Sequence, residues 1–186
     1  MTNRPPVFLD IPNRPELRLR KAARSDAFAL VKLVADNREH LKPQIWTHDL
    51  RTPLDVQPHV NHMVANMEAG NCLQYRILKG VEPVFPHMVG TVTLHSYSPE
   101  ARQAYLGYWL TEDATGKGVA SAASRRLLEY ASEAWDLERI NLNIAPGNVA
   151  SERLATRLGA SVTDEVNYER LPSGRTQEVR IWSMPA

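Results

Sequence analysis

The chain has 186 residues, 43% of them hydrophobic, which suffices for one globular domain with a sizeable core and is cramped for two. Its formal net charge is +1 and no lysine or arginine block dominates any segment, so bulk electrostatic binding of nucleic acid is not expected. Cys72 is the single cysteine, which excludes an intrachain disulfide and a cysteine-built zinc site and suits a reducing compartment, with the cytoplasm as the default.

The first segment, MTNRPPVFLDIPNRP, carries four prolines and no unbroken apolar stretch. It reads as an extended arm over residues 1–15, neither a signal peptide nor a membrane span, and residues 16–186 read as a single domain. ELRLRKA alternates Leu17 and Leu19 with charges and predicts the first strand. Ser25 then caps a helix carrying Phe28, Val31, Leu33 and Val34, which runs into NREHL and stops near Pro43. After a loop holding Trp46, Thr52 and Pro53 open a helix that Gly70 ends. CLQYRIL, HMVGTVTLHSY and AYLGYWL follow as an antiparallel meander.

Val119, Ala123, Leu127, Tyr130 or Ala131, and Ala134 recur at helical spacing and predict an amphipathic helix of about four turns. RINLNIA adds a strand with Ile140, Leu142 and Ile144 on one side, and NVASERLATRL a short helix with Ala150, Leu154 and Leu158 inward. SVTDEVNYERL and TQEVRIWSM, joined by PSG, close the chain as a hairpin. The order implies an α/β fold whose mixed sheet is mostly antiparallel, with one parallel crossover and flanking helices.

The stretch LTEDATGKGVAS stands at the mouth of the long helix. A helix N-terminus leaves its first N–H groups unpaired and carries partial positive charge, so a glycine turn there is a ready anion seat. Gly116 and Gly118 let the backbone come close, and Ala120 and Ser121 keep the next turn small. A P-loop is excluded because no glycine lies between Thr111 and Thr115 and Gly118, not Ser or Thr, follows Lys117. The competing reading is a tight turn that binds nothing.

A second constellation decides between them: NVASERLATRLGA, with Asn148 at a helix cap and Ser151 at the third helical position. Together, GYWLTEDATGKGVAS and NVASERLATRLGA resemble the coenzyme A binding core of the GNAT acetyltransferases, and NREHLKPQIW fits the branch of ribosomal-protein N-terminal acetyltransferases, the RimJ/RimL-like enzymes. The resemblance implies a sheet splayed between its fourth and fifth strands, YLGYWL and RINLNIA, with acetyl-CoA in the gap. It implies cofactor contacts from Trp109, Leu110, Thr111, Thr115, Gly116, Lys117, Gly118, Val119, Ala120, Ser121, Asn143, Asn148 and Ser151, with no metal. A backbone N–H near Leu110 would face the acetyl oxygen.

Two departures from the family pattern matter. Thr115 stands where an Arg or Gln is usual, and Ala155, seven residues after Asn148, where many members place a tyrosine that protonates the departing thiolate. In the RimL-like branch the serine matching Ser151 is the substitute acid and a glutamate in the late hairpin, here Glu169, the base; Glu165, His95 and water compete for that second role. Trp46, His95 and Glu169 are the candidate acceptor contacts. His59 and His62 lie three apart on a helix, yet no further ligand is placed to join them in holding a metal. Arg153, Arg157 and Lys117 face either coenzyme phosphates or water.

The function implied is acetyl transfer from acetyl-CoA to an amine, first the α-amine of a protein or peptide, with a small amine as the alternative acceptor. An idle acyl-CoA binding module is the reading from another class. Neither nucleic acid nor a membrane is an expected partner. The acceptor's identity and the oligomeric state, a homodimer included, are not written in the sequence.

Overall fold

The structure, a computed structural model, describes residues 5–41, 51–80, 87–170 and 176–186. Among the described residues are eight strands: β1 (Phe8–Asp10), β2 (Leu17–Lys21), β3 (Leu73–Lys79), β4 (His87–Ser98), β5 (Gln103–Leu110), β6 (Arg139–Ile144), β7 (Ser161–Arg170) and β8 (Thr176–Pro185). They form one sheet in the order β1-β2-β3-β4-β5-β6-β8-β7. All neighbours are antiparallel except β5 and β6, the single parallel crossover that the strand, helix, strand order predicts. The helices are α1 (Ala27–Asp36), α2 (Arg38–Leu41), α3 (Pro53–Glu68), α4 (Val119–Ala134) and α5 (Val149–Leu158).

The helices divide between the two faces. On one, α4 lays Val119, Ala123, Leu127 and Ala131 against Leu19, Leu94, Leu106, Ile140 and Leu142. On the other, α1 and α3 bring Leu30, Val34, Val56, Val60 and Val64 together over Trp109. Successive side chains of β5 alternate between these cores, so Leu106 and Leu110 join the first and Trp109 the second.

Three sequence expectations differ from the structure. Within the proline-rich arm, β1 pairs with β2, and the Tyr75 hydroxyl donates to the Pro6 carbonyl at 3.0 Å; three residues are too few to show a period. Ser25 does not cap α1: a 3-10 turn at Arg24–Asp26 precedes the helix, and the Asp26 carboxylate accepts from the Ala23 N–H at 3.0 Å. In α1, Leu30 and Val34 are buried in the core and Phe28 is exposed. In α5, Ala155 takes the buried position expected of Ala150. Trp46, Pro43 and the PSG turn lie outside the described residues.

Asp26 does more than shape that turn. Buried with Arg76, it accepts from the Arg76 Nε at 2.8 Å and from Arg20 at 2.6 Å, while Arg76 also donates to Thr91 at 3.2 Å. Burial raises the Asp26 carboxyl, but the Ala23 N–H and the two guanidinium groups outweigh it and hold it below the ordinary carboxylate range. Burial also lowers the Arg76 guanidinium, against the pull of Asp26; it starts so high that it stays charged. This pair matters more than an exposed one such as Lys32–Asp36, worth about 0.3–0.5 kcal/mol.

Replacing Asp26 by Asn should therefore destabilise the fold by about 3 kcal/mol at neutral pH, because it strands a buried guanidinium. Since the folded carboxyl titrates below its unfolded value near ~3.9, its contribution is present above that pH and is lost as pH falls through the folded value. Urea melts of both proteins should show the deficit shrinking on acidification, and a deficit constant from about pH 7 to about pH 3 would refute the electrostatic account.

Candidate active site

β5 and β6 pair only over Gln103–Arg139, Ala104–Ile140 and Tyr105–Asn141. β5 runs on to Leu110 and β6 to Ile144, each held on its outer side by β4 and β8 respectively. The parted edges present main-chain N–H and C=O groups without a strand partner, and such groups demand one. At the far end of β5, β4 crosses so closely that a Cβ on Gly90 would lie 2.2 Å from the Trp109 carbonyl oxygen; only glycine fits there.

The glycine turn opens beside this gap. Thr111 is buried and donates through its N–H to the Val89 carbonyl at 2.8 Å, and a 3-10 turn at Glu112–Ala114 leads into the loop. Gly116 and Gly118 have φ of +70° and +71°, the left-handed region that costs an L-residue about 1–2 kcal/mol. Gly118 is the N-cap of α4, whose first turn contains no acidic residue. Thr115, Gly116, Lys117 and Gly118 are exposed, Ala120 and Ser121 half-buried, and a Cβ on Gly116 would meet nothing within 4 Å. This open cradle of unpaired N–H groups at a positive helix end fits the pyrophosphate of coenzyme A. The side chains of Val119 and Trp109 are both buried, so only their main chain is open to a ligand.

Asn148 caps α5 as expected, accepting from the Ser151 N–H at 3.2 Å. Ser151 is half-buried in the first turn, and its Oγ accepts a hydrogen bond from the Tyr108 hydroxyl at 2.9 Å. Ala155 is fully buried, so the usual tyrosine position faces the core here.

The α1–α3 face of the sheet carries a different set. His95 is opposite Tyr105 in the ladder and stacks on its ring at 5.9 Å, and a Cβ on Gly107 would lie 3.7 Å from the imidazole. Burial lowers the His95 pKa, so the ring is neutral near pH 7. Asn143 accepts from the Asn167 side chain at 3.3 Å, and Glu169, half-buried, lies two residues beyond Asn167 on the same face of β7. The glycine loop and Ser151 thus lie toward the α4–α5 face, while His95, Asn143 and Glu169 lie on the other.

The sequence reading passes over four residues that the fold brings in. Tyr108 stands within GYWL, and its alternation with Trp109 is the signal that sends it to the α5 side. Arg14 reaches from the arm, with Nη1 3.6 Å from where a Cβ on Gly118 would sit, and pairs with Glu16. Asn37, between α1 and α2, accepts from the Glu112 N–H at 2.9 Å and so ties those helices to the glycine loop. Asn167 orients Asn143. Lys117 donates to the Asp113 carbonyl at 2.6 Å, and Arg157 carries a charge close enough to act on Tyr108. Among the described residues no group of histidine, cysteine or acidic side chains is arranged to hold a metal, His59 and His62 included.

A sheet parted over a glycine-turned helix mouth defines an acyl-CoA dependent transferase scaffold. The sequence matches the acetyltransferase (GNAT) domain over residues 16–161, and the chain belongs to that family. It is an acetyl-CoA dependent acetyltransferase. YdaF of Bacillus subtilis (strain 168), whose name assigns it provisionally to ribosomal N-acetylation, is 28% identical over 137 residues, 72% of each chain. Two solved structures share the fold. RimL, ribosomal L7/L12 alpha-N-protein acetyltransferase in complex with coenzyme A, gives a TM-score of 0.82 at 22% identity, over 96% of this chain and 97% of that one. The microcin C7 self immunity acetyltransferase MccE, in complex with acetyl-CoA and AMP, gives 0.84 at 19% identity over 100% of both.

Coenzyme A at one hundred times its Kd should stabilise the protein by about 2.7 kcal/mol, raising Tm by roughly 5–10 °C for a chain of this size. Gly118→Glu, which adds strain, bulk and negative charge at the helix mouth, should abolish the shift. Calorimetry showing equal affinity in the variant would remove the glycine turn from the coenzyme site.

Proposed function

We propose that the protein acetylates the α-amine of a protein or peptide, of the ribosomal-protein type. The observation that carries this is the division of the site: the coenzyme loop and Ser151 lie on the α4–α5 face, and His95 and Glu169 on the other. An amine approaching from the α1–α3 face would meet the thioester in the gap. Acetyl-CoA supplies the activated acetyl group, and the chain's residues orient it and handle protons.

The roles follow from placement. Gly116 and Gly118 with the first turn of α4 hold the pyrophosphate, and Arg14 stands in for the cation that Thr115 cannot provide. Asn148 fixes the start of α5 and thereby Ser151, whose hydroxyl meets the departing thiolate. A main-chain N–H near Leu110 stabilises charge developing on the acetyl oxygen. Glu169 is the first candidate to take the amine proton and His95 the second, since a half-buried carboxylate and a neutral imidazole can both accept one.

The acceptor follows from amine chemistry. An α-amine titrates near ~7.7–8.0 and a lysine near ~10.4, so at neutral pH the α-amine offers its nucleophilic form several hundred times more often. A site whose bases are only partly buried favours the amine that needs less help. The names carried by YdaF and RimL point the same way.

Incubating a mixed peptide pool with acetyl-CoA and reading the products by mass spectrometry should show acetylation at free N-termini, small first residues foremost, with internal lysines spared. Modification confined to lysine side chains, or to small amines with every peptide untouched, would overturn the acceptor assignment. Glu169→Gln should lower kcat about tenfold or more and His95→Ala less, as measured by thiol release under saturating acetyl-CoA. The opposite ranking would make His95 the base.

A further inference from the structure

Ser151 alone is a poor partner for a departing thiolate. Its hydroxyl rotates freely about the Cβ–Oγ bond, and a hydroxyl has one proton to place among several acceptors. Ser151 sits in the first turn of a helix, where serine oxygens often turn back to the main chain. What it does in this protein depends on what holds it.

Tyr108 is built into the gap. It lies on β5 past the last β5–β6 pair at Tyr105–Asn141, on the face that packs against the α4–α5 core. Its phenol crosses from β5 to α5 and donates to Ser151 Oγ at 2.9 Å. Burial raises the phenol pKa, although the Ser151 contact and the Arg157 charge pull it down, so Tyr108 keeps its proton throughout the working pH range and remains a donor. With Tyr108 donating to the serine oxygen, the proton of Ser151 is left to turn to another acceptor.

We propose that Tyr108 is a positioning residue that fixes Ser151 so that the serine O–H donates a hydrogen bond to the coenzyme sulfur as the thioester C–S bond breaks. This rests on the acetyl-transfer reading. No proton need leave Ser151, because a thiol near pKa ~8.5 is a far stronger acid than an aliphatic hydroxyl; the sulfur leaves as a hydrogen-bonded thiolate and takes its proton from water. Tyr108 thus restores, from the opposite wall of the gap, a phenol that the buried Ala155 position has lost.

The test titrates the thiol of bound coenzyme A by its thiolate absorbance in the ultraviolet, with the desulfo-CoA complex as the blank for protein tyrosines. It needs no acceptor, so it judges Tyr108 even if no amine is acetylated, an outcome that would sink only the acetyl-transfer reading. A hydrogen bond to the thiolate lowers the bound thiol's pKa, so Ser151→Ala should raise it. Tyr108→Phe, which keeps the ring, should bind coenzyme A within about threefold of the parent yet shift the thiol at least about half a pH unit toward the Ser151→Ala value. In the Ser151→Ala background the same change should add nothing, since the two groups act as one unit. With an acceptor, Tyr108→Phe should lower kcat about tenfold at unchanged KM for acetyl-CoA, and less than twofold when Ser151 is already Ala. An unmoved thiol in Tyr108→Phe, or a shift that persists undiminished without Ser151, overturns the proposal.

Discussion

The rest of the molecule depends on β5 and β6 pairing for three residues and then separating. Hydrogen bonding between parallel strands is favourable at every step, so the separation needs restraint from both sides. β4 holds the far half of β5 through its ladder, with Gly90 pressed against the Trp109 carbonyl, and β8 holds β6 along its full length. What remains between them is a slot lined by main-chain groups, and a flexible ligand rich in amides can complete the sheet there.

The parting makes a sheet, normally a barrier, into a passage. Alternation along β5 sends Tyr108 to the α5 side and Trp109 to the α1–α3 side, so neighbouring residues serve opposite halves of the site. The halves are also coupled: Asn37, at the junction of α1 and α2, holds the Glu112 N–H next to the glycine loop. The buried Asp26–Arg76 pair locks the turn that launches α1 onto β3. The α1–α2 junction and the glycine loop are therefore tied to each other, and His95 stacks on Tyr105 over β5.

Legibility followed the range of the interactions. The long helix was readable because Val119, Ala123, Leu127 and Ala131 repeat along it, and the hairpin and meander because turn-forming segments bound their apolar runs. Asn148 was readable as a cap because its partner, the Ser151 N–H, is three residues away. β1 was not, being only three residues long, and neither was the cap of α1, where Asp26 is recruited by Arg76 fifty residues on rather than by its own helix. Tyr108 was missed for the same reason, its partner Ser151 being distant in the chain, and Arg14 because only the fold brings the arm beside Gly118.

By itself the sequence determined the elements, the glycine turn at a helix mouth, the capped serine and hence the acetyltransferase family, all set by residues within a turn or two of one another. The tertiary structure decided where β5 leaves β6, which face each candidate serves, and that Tyr108 rather than a residue at 155 brings a phenol to Ser151. Those are matters of register and packing between segments remote in sequence, where the position of one side chain is fixed only when its neighbours across the sheet are already in place.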